Sequence, residues 1–98
     1  MMYVVRFHPE AESEMNEAVD YLNGESEGLG EIFLDDIQRA IDLITSHPEI
    51  ASIVKGRARR KLLRRFPYSL IYSVVGEDIR ILAVMHQYRR PFYWQHRK

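Results

Sequence analysis

The sequence contains no cysteine among its 98 residues. The chain can therefore form no disulfide bond and no thiolate metal site, and mechanisms that need a cysteine nucleophile or thiol redox chemistry are excluded. The four histidines lack the spacing of a zinc site, and we expect neither a metal nor another cofactor. The lack of disulfides is compatible with a reducing compartment, and we expect a cytoplasmic protein.

Long hydrophobic runs are also missing. The longest, such as residues 81–85, are far shorter than the about 20 apolar residues that a membrane-spanning helix needs. The N-terminal residues do not have the layout of a signal peptide. We therefore expect a soluble protein with no membrane partner. A chain of this length is sufficient for one hydrophobic core, so we predict a single domain over residues 1–98.

The net charge of zero conceals a very uneven distribution of charge. Residues 1–50 contain twelve acidic and two basic side chains, whereas residues 51–98 contain two acidic and twelve basic ones. In one interpretation, the two halves neutralise each other through surface ion pairs worth only ~0–1 kcal/mol each. In the other, the basic half presents a surface to an anionic partner, either a nucleic acid or an acidic peptide. The clustering of the basic residues in one short run favours the second interpretation.

The first half of the sequence predicts one strand followed by two helices. Residues 2–7 are rich in aromatic and β-branched side chains, which are typical of a strand. Pro9 ends this strand and suits the first position of a helix, in which apolar residues recur at helical spacing as far as Gly24. A second amphipathic helix is predicted from near residues 26–30 to Ser46. We expect the two helices to form an antiparallel hairpin.

The second half of the sequence predicts three strands. Residues 50–56 are a predicted connector, and residues 57–66 form a basic strand. The alternation of residues 68–75 is typical of a half-buried strand, and the turn at residues 76–78 leads into a returning strand over residues 79–88.

The predicted order of elements is therefore β-α-α-β-β-β. This order indicates an α+β fold, in which the helical hairpin packs on one face of a small antiparallel sheet and leaves the other face free. A short terminal segment that contains Tyr93 and Trp94 follows the last strand, opened by Pro91.

Three features together resemble the RelE/ParE family of bacterial toxins. They are the order of elements, the stretch RRFPYSLIY at residues 64–72, and the stretch VMHQYRRPFYW at residues 84–94, which is similar to the family's His-x-x-Arg-x-Pro-x-Tyr-Trp ending. The resemblance implies the toxin of a type II toxin–antitoxin system. It also implies a cognate antitoxin as partner, in a toxin–antitoxin hetero-oligomer.

The family contains two activities. RelE-like members cut messenger RNA on the ribosome, and ParE-like members poison DNA gyrase. RelE-like nucleases have arginines where this chain has Ser69 and Gln87, so two charges that would stabilise a phosphate are missing. The resemblance therefore favours a ParE-like poison that acts by protein contact. The alternative is a RelE-like, metal-independent endoribonuclease.

Eleven residues are candidates for either activity. The catalytic candidates, if the protein is a nuclease, are Arg60, Arg64, His86, Arg89 and Tyr93, of which Tyr93 corresponds to the catalytic tyrosine of RelE-like enzymes. The candidates for binding the target or the antitoxin are Arg57, Arg59, Lys61, Arg65, Arg90 and Trp94.

Simple roles in the fold remain open for some of these candidates. His86 could be a structural histidine, and Trp94 could pack against the sheet. The alternation of a strand predicts that Arg57, Arg59, Lys61 and Arg65 lie on one face, with Arg60 and Arg64 on the other.

Overall fold

The computed structural model describes residues 2–98 as two helices and five strands. The elements are β1 Val4–Phe7, α1 Pro9–Glu25, α2 Leu29–Ser46, β2 Ser52–Lys55, β3 Ala58–Leu62, β4 Tyr68–Val75 and β5 Asp78–His86. The predicted α+β class is confirmed, and the elements that were predicted occur in the predicted order. One strand was not predicted, because β2 lies inside the supposed connector of residues 50–56. Within residues 2–98, no helix is long and apolar enough to cross a membrane.

Local chemistry explains where the two helices begin. At the start of α1, Pro9 occupies the first turn and the side chain of His8 accepts a hydrogen bond from Glu10 N at 3.1 Å. The second helix follows Gly28, which has a φ of +84° that few other residues adopt readily. The helix α1 runs to Glu25, slightly beyond its predicted end at Gly24.

The two helices approach each other closely at Gly30. A Cβ atom at this position would lie 2.7 Å from Asn23 Nδ2 and 2.8 Å from Val19 Cγ1. The backbone N–H of Gly30 also donates to Asn23 Oδ1 at 2.8 Å. The missing side chain therefore allows α2 to pack against the end of α1, as the predicted helical hairpin requires.

The five strands form one sheet in the order β1-β5-β4-β3-β2. The pairs β2–β3, β3–β4 and β4–β5 are antiparallel, but β1 pairs with β5 in parallel. The sheet is therefore mixed, and the prediction of a purely antiparallel sheet is wrong. The reason is the long connection between β1 and β5, which contains both helices and returns the chain beside β1 in the same direction.

The two faces of the sheet have different surroundings. The helices cover one face, where Phe33 of α2 packs with Leu70, Tyr72 and Ile81 in the main core. We call the opposite side the open face. It carries Ala58 and Arg60 of β3, Ile71 of β4, and Arg80 and Met85 of β5, since their strand neighbours point into the main core.

A β-bulge interrupts the pairing of β4 with β5. Ile71 pairs with Ala83, whereas the next residue, Tyr72, pairs with Ile81, so Leu82 is the additional residue. As a result, Leu82 and Ala83 both belong to the cluster on the open face.

The C-terminal segment, residues 91–98, crosses the open face. Trp94 is only 4% exposed, and it packs against a cluster that includes Ile71, Leu82 and Met85. Successive turns shape the segment, in which Gln95 N donates to Phe92 O and Arg97 N donates to Trp94 O. The prediction that this face is free is therefore wrong, because Trp94 removes the apolar part of the face from water.

Candidate functional site

The basic strand is shorter than predicted. Arg57 lies in the turn before β3, and Arg64 and Arg65 lie in the bend that follows it. The bend forms because Asp36 of α2 accepts a hydrogen bond from Arg65 N at 2.8 Å, so this part of the chain is held by a helix and not by another strand. The predicted alternation of faces therefore applies only within β3.

Arg59 and Lys61 lie on the helix-facing side of β3. Arg59 Nη1 donates to Ala51 O at 2.7 Å and to Glu49 O at 3.3 Å, which holds the chain between α2 and β2. Lys61 Nζ donates to Leu62 O at 3.2 Å. The contacts of Arg59 are those of a residue that maintains the fold.

Arg60 points to the open face and lies over Ser69. Arg60 Nε donates to Ser69 Oγ at 2.9 Å, and Ser69 is completely buried. A small residue at position 69 therefore leaves room for the side chain of Arg60. Gln87 lines a pocket together with Arg60 and Arg89.

This pocket has a volume of about 280 Å³, and we call it the Arg60–Arg89 pocket. Its other lining residues are Val54, Ile71, Met85, Gln87, Pro91, Phe92 and Trp94. Guanidinium groups bind carboxylates and phosphates well and remain charged at all physiological pH values. The lining contains no histidine, lysine, tyrosine or carboxylate. The pocket can therefore bind an anion, but it lacks a side chain that exchanges a proton near neutral pH.

Tyr93 is directed away from the Arg60–Arg89 pocket. Its hydroxyl donates to Glu14 Oε2 at 2.7 Å, and the guanidinium of Arg89 stacks over its ring at 3.9 Å from the centroid. Burial, the hydrogen bond to Glu14 and the charge of Glu14 together raise the pKa of Tyr93 far above its ordinary value. The phenol therefore stays protonated and donates its proton to Glu14.

Glu14 connects the C-terminal segment to the edge of the sheet. The parallel pairing of β1 with β5 ends at Ile81, and Glu14 Oε1 then accepts from the backbone N–H of Val84 at 3.1 Å. Arg97 Nη1 donates to the same oxygen at 2.8 Å and to Leu82 O at 3.0 Å. The carboxylate and the guanidinium thus satisfy backbone groups of β5 for which β1 supplies no partner.

Arg97 is held by a second carboxylate as well. Its side chain is 7% exposed, and Nε lies 2.8 Å from Glu10 Oε2, a close charge contact without the alignment of a hydrogen bond. The roles of Glu14 and Arg97 were not predicted. The available signal was the spacing of Glu10 and Glu14, which places two carboxylates on one face of α1.

His86 lies on the helix-facing side of β5. Its ring packs edge-on against Tyr68 at a centroid distance of 5.0 Å, and its Nδ1 accepts from Tyr88 N at 3.2 Å. It shares a small cleft with Arg89, Tyr93 and Glu17 at the side of the sheet. His86 does not line the Arg60–Arg89 pocket.

The remaining candidates are dispersed. Arg64 lines a cleft beside α2 together with Asp36 and Lys61. Arg65 and Arg90 are exposed, and Trp94 is buried. Of the five catalytic candidates, Arg60 and Arg89 line the Arg60–Arg89 pocket, whereas His86, Arg89 and Tyr93 line the small cleft at the side of the sheet.

Comparisons with known proteins agree with this architecture. A family model described as the ParE toxin of type II toxin–antitoxin system, parDE, matches residues 5–91. A solved structure titled "Chromosomal ParDE TA system from P. aeruginosa" superposes with a TM-score of 0.75 at 17% identity, covering 87% of this chain and 96% of that one. At this identity, the likeness shows the fold alone. A search of curated protein sequences found no match. Because the family model covers most of the sequence, the chain belongs to the ParE toxin family of type II toxin–antitoxin systems.

Proposed function

We propose that the protein inhibits growth in the cytoplasm by poisoning an essential target through protein contact, with DNA gyrase as that target. A cognate antitoxin neutralises it by forming a toxin–antitoxin hetero-oligomer. The observation that carries the proposal is the composition of the Arg60–Arg89 pocket. Two arginines line it, and no lining side chain transfers protons near neutral pH.

The rim of the pocket suits contact with a protein surface. Phe92 is 39% exposed beside Arg89, and Pro91 lines the same edge. Arginine and aromatic residues are enriched among the residues that dominate binding energy at protein interfaces. The family match to a ParE toxin supports the same target class.

The RelE-like endoribonuclease remains the alternative. One observation favours it. RelE-like nucleases have arginines at the positions of Ser69 and Gln87, and in this chain Arg60 and Arg89 lie beside these two positions and supply positive charge there. Cleavage of RNA also needs a base for the 2′-hydroxyl and an acid for the leaving oxygen. Tyr93 donates to Glu14 and His86 faces the helices, so these groups do not enter the pocket. We therefore prefer the hypothesis that the protein poisons its target by protein contact.

Expression of the chain alone in a bacterium tests this proposal. We expect growth arrest with gyrase-linked DNA breaks and intact translated messenger RNA. Arg89→Ala should remove the arrest, whereas Arg39→Ala, an exposed arginine on α2, should retain it as the matched control. Growth should recover when the antitoxin is co-expressed. Messenger cleavage that is abolished by Tyr93→Phe would instead establish the nuclease.

A further inference from the structure

Trp94 divides the open face into two basic regions. One is the Arg60–Arg89 pocket. On the other side of Trp94 lies a larger cleft, of about 400 Å³, which we call the Arg80 cleft. Its cationic lining residues are Lys55, Arg57, Arg80, Arg97 and Lys98, and no acidic side chain lines it. The sequence prediction included only Arg57 and Trp94 from this cleft.

Most of the positive charge in the Arg80 cleft is not neutralised within the molecule. Arg97 is paired with Glu10 and Glu14. Among residues 2–98, however, Lys55, Arg57 and Lys98 form no ion pair. Lys55 Nζ donates only to the neutral amide oxygen of Gln95, at 2.6 Å.

Arg80 has only a weak and shared acidic partner. Its Nη2 lies 3.9 Å from Asp78 Oδ2, an oxygen that is 3.5 Å from Arg6 Nε. Several cations therefore surround one cleft with little compensation, and their positive potential favours an anionic occupant.

The surroundings of the Arg80 cleft favour a peptide over a nucleic acid. Single-stranded nucleic acids bind with their bases stacked on exposed aromatic rings. The only aromatic residue that lines the cleft is Trp94, and it is 4% exposed. The rim instead offers Val75, which is 37% exposed and can contact an apolar side chain.

The edge of the sheet lies next to the cleft. Within the described chain, β2 is the last strand of the sheet, and its end at Lys55 lines the Arg80 cleft. The outer backbone groups of an edge strand can pair with an extended peptide, which gains main-chain hydrogen bonds in addition to the charge contacts.

We propose that the Arg80 cleft binds an acidic, extended segment of the antitoxin. This inference rests on the proposed function, because it assumes that an antitoxin neutralises the protein. Neutralisation and poisoning then use different basic residues. The antitoxin segment occupies the Arg80 cleft and, from the other side of Trp94, obstructs the approach of the target to the Arg60–Arg89 pocket.

Binding measurements with the full chain test the site. The probe is a fluorescent peptide of alternating glutamate and leucine, with a lysine–leucine peptide and oligothymidine as comparison probes. The variant Arg80→Gln neutralises one charge in the cleft, and Arg39→Gln, at an exposed arginine of α2, makes the same net change outside it. We expect the cleft variant to weaken binding of the acidic peptide by roughly tenfold or more, and the control variant to weaken it much less. Added salt should weaken binding by the wild type.

Three results would overturn the proposal. Equal peptide affinities of the cleft and control variants would exclude the cleft as the site. Tighter binding of oligothymidine, lost in the cleft variant, would identify a nucleic-acid site. Self-association of the wild type, lost in the cleft variant, would identify a second copy as the occupant. Lys98→Gln is a second variant, since it removes a cleft charge that forms no ion pair among residues 2–98, and it should also weaken binding of the acidic peptide.

Growth assays separate this inference from the proposed function. We expect the cleft variant to arrest growth as the wild type does, and the co-expressed antitoxin to restore growth only for the wild type and the control variant. If the antitoxin fully restores growth of cells that express the cleft variant, the inference is wrong, but the proposed poisoning activity is unaffected. The opposite outcome is also distinguishable. If the wild type does not arrest growth, the proposed function is wrong. If the purified antitoxin nevertheless binds the wild type and binds the cleft variant more weakly, the Arg80 cleft is still the antitoxin site.

Discussion

The two faces of the sheet use opposite chemistry, although the same strands supply both. On the helix-facing side, Phe33, Leu70, Tyr72 and Ile81 are completely buried, and packing of apolar surface stabilises the fold. On the open face, a tryptophan covers a small cluster and charged groups fix its position through Glu14 and Arg97. Because successive side chains of a strand point to opposite faces, the residues that stabilise the fold and the residues available for binding lie on different faces of the same strands. Mutations on the two faces should therefore have separable effects.

The largest expected effect is on the helix-facing side. Phe33→Ala should lower the free energy of unfolding by about 3–5 kcal/mol, because it removes a buried ring that packs edge-on against Phe66 and Tyr68. Urea denaturation measures the change. Ile32→Ala, at a neighbouring position that is 39% exposed, is the control and should cost far less. A similar loss in both variants would contradict the assignment of this face as the principal core.

A smaller effect is expected at Asp36, which is 2% exposed and lies at the border of the helix-facing side. Asp36→Ala should cost about 1–3 kcal/mol, because the backbone N–H of Arg65 loses its acceptor. Asp35→Ala, an exposed neighbour, is the matched control. Thermal unfolding of both variants gives the comparison, and equal melting temperatures would show that Asp36 does not hold the bend.

The pH dependence of stability should report on the edge of the open face. The pKa of Tyr93 is raised in the folded state, so its contribution is fully present below the ordinary tyrosine pKa of 10.0 and is lost as the pH rises through the folded pKa. Tyr93→Phe should reduce this alkaline loss. Tyr68 and Tyr72 also have raised pKa values, so part of the loss should remain.

The same site allows a spectroscopic measurement. In an ultraviolet titration, Glu14→Gln should lower the pKa of Tyr93 because it removes the charge that accepts the phenol proton. Glu17→Gln, an exposed glutamate on the same helix, should leave the curve unchanged. An unshifted curve in Glu14→Gln would rule out the contact with Tyr93.

The smallest effect on stability is expected at the Arg60–Arg89 pocket. Arg89→Ala should change the free energy of unfolding by no more than about 1 kcal/mol, since Arg89 is exposed and loses one cation–π contact. The same variant should lose its poisoning activity. Growth arrest and urea denaturation should be measured on the same variant. If its activity and its stability fall in proportion, Arg89 has a purely structural role.

Local patterns predicted the elements that local chemistry determines. Both helices follow from apolar spacing, from Pro9 and from the break after Ser46. The strands β4 and β5 follow from alternation and from a two-residue turn, where Gly76 has a φ of +62°. These features are recognisable because each depends on residues close together in the chain.

The missed features depend on distant contacts. The strand β2 has little apolar alternation because most of it is exposed, including Ile53 at 57%. Nothing within β1 indicates that it pairs in parallel with β5. The contacts of Glu14 with Val84 and Arg97 join residues from opposite ends of the chain. In the candidate site, Arg60 and Arg89 were predicted as important, but their shared pocket follows only from the packing of residues 91–98.

The bulge in β5 has a further consequence for the chemistry available to this fold. If β5 alternated regularly from Ile81, with Leu82 included and no bulge, His86 would lie on the open face, on the same side as Arg60. An imidazole, the side chain that most often acts as a general acid or base, would then lie on the same side as Arg60. The bulge thus keeps His86 on the helix-facing side of β5, away from the Arg60–Arg89 pocket. In this chain, the groups that line the open face therefore depend on the backbone geometry of β5 as well as on the identity of its side chains.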